Sequence, residues 1–270
     1  MEKKYKIIDA HSHIFPEPIM EKASESIGDF YKIRMANDMA GIQRLFEKGD
    51  EIGVDKYVVC STATATEQVD SINAFILNEQ KKYEDKLYGF GTIHPDTNNI
   101  FKVVEGIRKS GLFGIKIHPD FQETDIDDKR FCKMYEAASE YMLPVLIHMG
   151  DDRYDFSRPH RLAKVVEKFP NLNVMAAHFG GYSKWDEAAV ELKESGVYVD
   201  TSSSLEFIDV EQARNLIDVF GIDKVLFGVD FPMWSHKNEY SNVLALGLSE
   251  ENNVKVFAEN FENLLKKCEF

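Results

Sequence analysis

The 270-residue chain has 46 acidic and 32 basic residues, a formal net charge of −14, and 44% of its residues are hydrophobic. That apolar content is sufficient for a core and excludes intrinsic disorder. The acidic balance argues against binding to nucleic acid or to anionic membranes. Three widely spaced cysteines, and no apolar stretch near 18 residues, predict a cytoplasmic protein without disulfides or a membrane span.

Eight short apolar runs, rich in Val, Ile and Phe, recur along the chain and end in polar residues. Several are apolar on both faces, which is typical of parallel strands that are covered on both sides. We therefore interpret each run as a buried strand. The runs are residues 5–10, 56–60, 87–93, 113–117, 144–147, 173–177, 197–200 and 225–229.

Segments with the helical spacing of apolar residues lie between these runs. Residues 39–52, 162–169 and 216–220 predict outer helices, and residues 250–267 predict a closing amphipathic helix. Strands and helices that alternate without a break in composition predict a parallel sheet. Eight such units, of about 34 residues each, predict a single α/β domain over residues 1–270, a (β/α)8 TIM barrel with its site at the C-terminal face of the strands.

The alternative is an open, doubly wound sheet, which usually has a glycine-rich turn after its first strand. Here the first run leads into residues 9–13, with the sequence DAHSH and no glycine, so the barrel is favoured. The connection over residues 14–36 is longer than a simple loop. In a barrel it lies where active sites are built, so we expect either a lid-like insertion or an ordinary helical one.

Histidines are concentrated at the ends of the predicted strands. Because the ends of parallel strands meet at one face of a barrel, residues from distant parts of the sequence converge there. This distribution predicts a single site rather than scattered surface histidines. Six of the eight histidines follow the apolar runs, namely His11, His13, His94, His118, His148 and His178.

Residue types at these strand ends are those that bind metal ions. His11 and His13 are two residues apart on a strand, so both side chains point to the same side and can reach one ion. His148 is a third candidate ligand. Asp230 ends an apolar strand, where a carboxylate is costly to bury unless it is paired or metal-bound. His178 is a candidate ligand, proton donor or electrophilic group.

Lys116 and His118 share one face of the fourth strand by alternation. An inward lysine beside a metal would bind a substrate carboxylate or, once carbamylated, would bridge two ions; the alternative is that both residues face outward. Arg153 and Trp234, on loops that follow strands, suit a carboxylate and a flat apolar group respectively. They indicate a small organic acid as substrate, although loop residues without a functional role would explain the pattern equally well.

The order of these residues resembles the amidohydrolase superfamily of metal-dependent (β/α)8 enzymes. In detail it resembles the amidohydrolase-related branch, which includes aminocarboxymuconate semialdehyde decarboxylase-like proteins. The resemblance extends from residue 7 to the last predicted helix. It is carried by DAHSH (residues 9–13), GIKIHP (114–119), LIH (146–148), AHFGG (177–181) and FGVDFP (227–232).

The resemblance implies roles for individual residues. His11, His13, His148 and Asp230 would bind one divalent ion, most often zinc, with manganese as an option. His178 would polarise the substrate or the attacking water, and Asp230 would transfer protons. In binuclear members of the superfamily a lysine such as Lys116 is carbamylated and bridges two ions, with His178 as a ligand. The sequence therefore favours one ion and leaves two open.

The reaction expected first is hydrolysis, with metal-activated water attacking an amide, lactone or related carbonyl of a small, carboxylate-bearing substrate. The second is non-oxidative decarboxylation, or hydration, of an unsaturated or aromatic acid. A metal-dependent deoxyribonuclease is disfavoured because such barrels usually have glutamate where this chain has Lys116. A barrel that has lost its activity would be expected to lack some of the metal-ligand residues, and all of the expected ones are present. The partners expected are a small-molecule substrate and, as many such barrels dimerise, a second copy of the chain.

Overall fold

The computed structural model describes residues 4–37 and 39–270. Eight parallel strands are hydrogen-bonded in sequence order, which confirms the (β/α)8 barrel. Residues 1–3 and 38, which the predicted domain includes, lie outside the described residues. The strands are β1 (Ile8–His13), β2 (Lys56–Cys60), β3 (Leu87–Thr92), β4 (Gly114–Ile117), β5 (Val145–Ile147), β6 (Val174–Ala176), β7 (Tyr198–Asp200) and β8 (Val225–Leu226).

Helices alternate with these strands and form the outer layer. The helices are α1 (Met20–Tyr31), α2 (Ile42–Asp50), α3 (Val69–Lys82), α4 (Ile100–Ser110), α5 (Lys129–Glu140), α6 (Pro159–Lys168), α7 (Trp185–Glu191), α8 (Val210–Phe220), α9 (His236–Ala245), α10 (Glu250–Val254) and α11 (Asn260–Lys267). No helix in the described part of the chain is both long and apolar enough to cross a membrane.

The barrel closes between β1 and the segment that follows β8. Ala10 N donates to the Phe227 carbonyl oxygen at 2.8 Å, and Asp230 N donates to the His11 carbonyl oxygen at 2.7 Å. A parallel bridge joins Ser12 and Phe231 further along. Asp230 is therefore held directly beside His11 by the backbone hydrogen bonds that close the barrel.

Strand β1 differs from the run predicted over residues 5–10, because it continues to His13. Its register against β2 shifts between Asp9 and Ser12, where three steps of β1 oppose two steps of β2. Since side chains alternate along a strand, one extra residue changes which face the following residues occupy. Ala10 faces the barrel interior, so strict alternation would point His11 and His13 outward. The extra residue of the bulge turns both histidines into the barrel.

Two layers of apolar side chains fill the fold, one between strands and helices and one inside the barrel. The predicted helix over residues 250–267 is divided, since a π-helical turn at Lys255–Glu259 separates α10 from α11. This turn leaves the Val256 carbonyl oxygen free to accept from Phe227 N at 2.9 Å. Helix α11 packs on the strand starts, so that the interior layer includes Ile8, Val58, Leu226, Phe261, Leu264 and Leu265.

The long connection after β1 contains a short 3-10 turn at Glu17–Ile19 followed by α1. Helix α1 ends where Lys32 adopts a left-handed backbone conformation, with φ of 55°. The chain beyond it is tied to the segment after β8, because Ala36 N donates to the Met233 carbonyl oxygen at 3.0 Å. The insertion thus packs over the C-terminal face of the barrel.

Candidate active site

Three of the four predicted metal ligands converge at the top of the barrel. The Nε2 atoms of His11 and His13 are 3.2 Å apart, and Asp230 Oδ1 lies 3.6 Å and 3.2 Å from them respectively. Ligands placed 2.0–2.1 Å from a tetrahedral ion are roughly 3.4 Å from one another. The spacing of these atoms therefore fits a divalent metal ion.

The buried carboxylate of Asp200, at the end of β7, orients the first of these ligands. His11 Nδ1 lies 3.0 Å from Asp200 Oδ2, so this nitrogen donates and Nε2 keeps its lone pair for an ion. Burial lowers the pKa of His11, which favours the neutral imidazole that binds metals. Asp200 Oδ1 also accepts from the backbone N–H of His178 at 3.1 Å. One carboxylate therefore positions two site histidines.

The charges around His13 favour a cation. Burial lowers the pKa of His13, but Cys60 and Asp230 outweigh it and raise that pKa to about 9. Burial raises the pKa of Asp230, but His11, His13 and His178 outweigh it and hold that pKa well below its usual range. The negative charge beside His13 therefore stabilises a cation at this position, and a metal ion bound there would displace the proton of His13.

His178 and His148 meet beside this group. His178 Nδ1 lies 3.2 Å from the Ser202 carbonyl oxygen, which can only accept, so Nδ1 carries the proton and Nε2 is bare. Burial lowers the pKa of His178 to about 4, so the ring is neutral near pH 7. Its Nε2 lies 3.0 Å from His148 Nδ1 and 4.0 Å from Asp230 Oδ2. The fourth predicted ligand, His148, therefore adjoins the others through His178.

Lys116 is fully buried inside the barrel, with Nζ 2.9 Å from His11 Nε2. Burial lowers the pKa of Lys116, which favours the neutral amine that reacts with carbon dioxide to form a carbamate. Its inward orientation excludes the outward-facing alternative. This inward position is compatible with both roles considered for Lys116, a substrate contact and, once carbamylated, a bridge between two ions.

His118 lies on the insertion side of the site. Its ring stacks on His148 with centroids 3.8 Å apart and on Phe121 with centroids 3.7 Å apart. Its Nε2 lies 2.8 Å from the hydroxyl of Tyr31, the last residue of α1. Asp120 Oδ2 lies 3.6 Å from His148 Nε2, and burial raises the pKa of Asp120 to about 7.

Backbone geometry at the strand ends is unusual in ways that serve the site. His178 and Asp230 have φ values of 61° and 59°, conformations that cost about 1–3 kcal/mol each in a residue other than glycine. Gly228 has no such φ, but a Cβ there would lie 3.0 Å from Asp200 Cβ and 3.2 Å from His11 Cβ. A side chain at this position would push apart the pair that orients His11.

A cavity of about 650 Å³ opens above these groups. His13, His118, His148 and Asp230 are exposed to it at the polar end, whereas α1, α3 and the loops around them supply a mainly apolar wall. The apolar part includes Phe15, Ile27, Phe30, Ile72, Phe75 and Phe121.

Arg153 and Trp234, which the sequence suggested as substrate contacts, are not among the cavity-lining residues in the described part of the chain. The guanidinium of Arg153 is engaged by both carboxylate oxygens of Asp151, at 2.9 Å and 2.7 Å. Trp234 Nε1 donates to Ser203 Oγ at 2.7 Å, and Ser203 donates to Asp230 Oδ2 at the same distance. Trp234 therefore acts on the site through Ser203.

Sequence reasoning missed several site residues. Asp200 ends the seventh apolar run and Ser202 and Ser203 follow it, so the strand-end rule that found the histidines applies to them equally. Tyr31 and Asp120 carry no comparable signal, because their positions relative to the barrel depend on how the insertion and the loop after β4 fold.

Comparisons with known proteins agree with this architecture. Among solved structures, 5-carboxyvanillate decarboxylase from Novosphingobium aromaticivorans, with manganese and 4-hydroxy-3-methoxy-5-nitrobenzoic acid, is 19% identical; the match covers 98% of this chain and 97% of that one, with a TM-score of 0.76. Dihydroxybenzoic acid decarboxylase from Polaromonas sp., with manganese and the inhibitor 2-nitroresorcinol, is 16% identical with 97% of both chains covered and a TM-score of 0.75.

A third similar structure is a probable 2-pyrone-4,6-dicarboxylic acid hydrolase from Acinetobacter baumannii with bound citric acid. It is 16% identical, the match covers 97% of this chain and 99% of that one, and the TM-score is 0.71. No curated protein matches the sequence. The family model described as amidohydrolase matches residues 8–266. The chain therefore belongs to the amidohydrolase superfamily of metal-dependent enzymes, as its strand-end residues predict.

Proposed function

We propose that the protein is a metal-dependent, non-oxidative decarboxylase of a small aromatic or unsaturated carboxylic acid. The observation that carries this proposal is the contrast between the two ends of the cavity. Metal-ligand side chains occupy one end. Four phenylalanine and three isoleucine side chains contribute to the rest of the lining, together with polar residues such as Lys22 and Gln68. A substrate with an acidic group at one end and a flat apolar body matches that contrast.

Two of the similar structures support this substrate class, because their names describe decarboxylases of hydroxylated benzoic acids. Both hold manganese, so we include manganese with zinc as a candidate ion. From the sequence alone, hydrolysis is expected first and decarboxylation second. The phenylalanine side chains of the cavity reverse that order in our proposal, because they suit the flat apolar body of an aromatic acid.

The proposed reaction breaks the bond between the carboxylate carbon and the substrate body, releases carbon dioxide and forms a C–H bond at the same carbon. A divalent ion bound by the donor cluster would hold the acidic oxygens and stabilise negative charge. The proton for the new C–H bond would come from water. The bare Nε2 of His178, 4.0 Å from Asp230 Oδ2, would accept that proton and pass it to the ionised Asp230, which would deliver it to carbon.

Hydrolysis remains the second candidate because of Lys116. Its buried Nζ lies 2.9 Å from His11 Nε2, and a carbamate formed on it would supply a further ligand for a second ion. The similar structure named as a probable pyrone hydrolase belongs to the same fold class. Two ions per chain would favour this candidate, and one ion would favour decarboxylation.

The deciding experiment combines metal content with turnover. Protein purified without chelator is analysed for metal per chain, loaded with manganese or zinc, and incubated with hydroxybenzoic acids and, separately, with lactones. We expect about one ion per chain and carbon dioxide release from at least one acid. Ring opening of a lactone with no carbon dioxide from any acid would reject the decarboxylase proposal in favour of hydrolysis.

A further inference from the structure

We propose that Tyr31, on the insertion helix, is a substrate-binding residue whose hydroxyl donates a hydrogen bond to the acidic group of the substrate. This inference rests on the proposed function only in taking an acid as the ligand. It follows from the hydrogen-bond network around the Tyr31 hydroxyl, which lines the cavity next to His118 and His148.

His118 faces the Tyr31 hydroxyl with its Nε2 atom. The backbone N–H of Phe121 donates to His118 Nδ1 at 3.3 Å, so this nitrogen is an acceptor. In a neutral imidazole the other nitrogen, Nε2, then carries the proton. Nε2 lies 2.8 Å from the Tyr31 hydroxyl oxygen. The Tyr31 oxygen therefore accepts from His118.

His148 Nε2 lies 3.1 Å from the carbonyl oxygen of Gly150, which can only accept, so Nε2 carries a proton. Nδ1, which faces the bare Nε2 of His178 at 3.0 Å, would then be left to bind the metal ion. The Tyr31 oxygen is 3.3 Å from His148 Nε2. Tyr31 thus faces an N–H group on either side, and neither histidine offers it a lone pair.

The Tyr31 hydroxyl proton is consequently unused by both histidines. Over residues 4–37 and 39–270, no further protein acceptor lies within hydrogen-bond distance of this hydroxyl. Because the side chain lines the cavity, the proton can be directed into the space above the metal-ligand cluster. A carboxylate oxygen is the acceptor that such a position suits.

The position of Tyr31 is held by contacts outside the cavity. Arg153 donates to the carbonyl oxygen of Phe30, and its guanidinium lies 4.2 Å from the centre of the Phe30 ring. Asp151 in turn fixes Arg153. Since Asp151 follows His148 closely on the loop after β5, this contact connects the end of α1 to the strand end that carries a site histidine.

The test is binding of aromatic probes to the metal-loaded protein and to Tyr31→Phe, which keeps the ring and removes only the hydroxyl. Isothermal titration is carried out with 2,6-dihydroxybenzoate and with resorcinol, the same ring without the carboxylate. We expect at least a tenfold weaker Kd for the acid in Tyr31→Phe, a change of less than twofold for resorcinol, and unchanged metal content. Tyr154→Phe is the matched control, because Tyr154 lies near α1 but does not line the cavity.

An equal loss of affinity for both probes in Tyr31→Phe would mean that Tyr31 is only part of the cavity wall, and it would overturn the inference. Unaltered affinity for the acid in Tyr31→Phe would also overturn it. So would a failure of the acid to bind the unmodified protein. The result is separable from the proposed function. Weaker acid binding in Tyr31→Phe without carbon dioxide release from any acid would reject decarboxylation and retain the role of Tyr31. Carbon dioxide release with unaltered acid binding in Tyr31→Phe would do the opposite.

Discussion

The two ends of the cavity are built in different ways. At the metal end, side chains come from strand termini and are held by buried partners, as His11 is by Asp200. At the insertion end, the wall combines one face of α1, which is attached at its end through Arg153 and Ala36, with α3 residues such as Ile72 and Phe75. We infer that the reactive groups belong to the barrel strands, whereas much of the wall that would contact a substrate belongs to a segment added to the barrel.

This difference has a physical basis. Hydrogen bonds between strands fix the metal end, and moving one ligand would disturb the closure of the barrel. The insertion wall is mainly apolar, and side chains of similar volume can replace one another there at small cost. Changes at the metal end should therefore abolish metal binding and turnover together, and changes in the insertion should alter substrate affinity alone.

The largest effect is expected for His13→Ala. Loss of one ligand from a cluster whose atoms are 3.2–3.6 Å apart should reduce bound metal below one ion per chain and lower activity by about 10³-fold or more. Metal analysis and turnover provide the measurement. His160→Ala is the control, because His160 pairs with Glu187 away from the cavity. Full metal content in His13→Ala would contradict the assigned site.

A smaller effect at the same end is expected for Asp200→Asn. The amide keeps the shape of the carboxylate but weakens its hold on His11 Nδ1, and such partners of metal-binding histidines are typically worth 10–100-fold in metal affinity. Competition with a chelator measures the affinity. Asp223→Asn, at an exposed pair with Lys255, should leave it unchanged. An unaltered affinity in Asp200→Asn would remove Asp200 from the site.

Ile27→Ala tests the insertion end. This substitution removes apolar surface from the cavity wall, and the lost contact of about 1–1.4 kcal/mol corresponds to a KM raised roughly 5–10-fold. Metal content and kcat should stay close to those of the unmodified protein. Val190→Ala, at a residue 74% exposed on α7, is the control. Loss of metal in Ile27→Ala would show that the two ends are not independent.

The smallest effect concerns Glu239, a buried carboxyl group on α9 whose Oε1 lacks a hydrogen-bond partner within the described chain. Burial raises the pKa of Glu239 well above its usual range. The folded protein therefore keeps this proton at pH values where the unfolded chain has lost it, and stability falls as pH rises above the unfolded pKa of about 4.3.

Glu239→Gln removes this titration, so the melting temperature should increase by a few degrees at pH 8 and by little at pH 5. Thermal unfolding at the two pH values is the measurement. An equal change at both would mean that the glutamine acts by packing alone. Both carboxylate oxygens of Asp200 have hydrogen-bond partners, whereas Oε1 of Glu239 has none within the described chain. We therefore expect Glu239, unlike Asp200, to lower the stability of the barrel at high pH.

Much of the metal end was predictable from the sequence. The apolar runs indicated eight strands. Because the strand ends of a parallel barrel must meet, the polar residues at or after those ends were candidates for one site, among them His11, His13, Lys116, His178 and Asp230. Predicted strand limits differ from the observed ones by a few residues, and most at β1, where the bulge after Asp9 has no local signal.

The sequence by itself determined the barrel and the residue types at its strand ends, since strand periodicity and strand-end position are local properties of the chain. Only the tertiary structure decided the hydrogen-bond partners. Asp200 meets His11 across 189 residues, and Arg153, expected at the substrate, holds the end of α1 instead. The physical reason is that a polar side chain in a folded protein is satisfied by whichever group packing brings near, and that group is often distant in sequence.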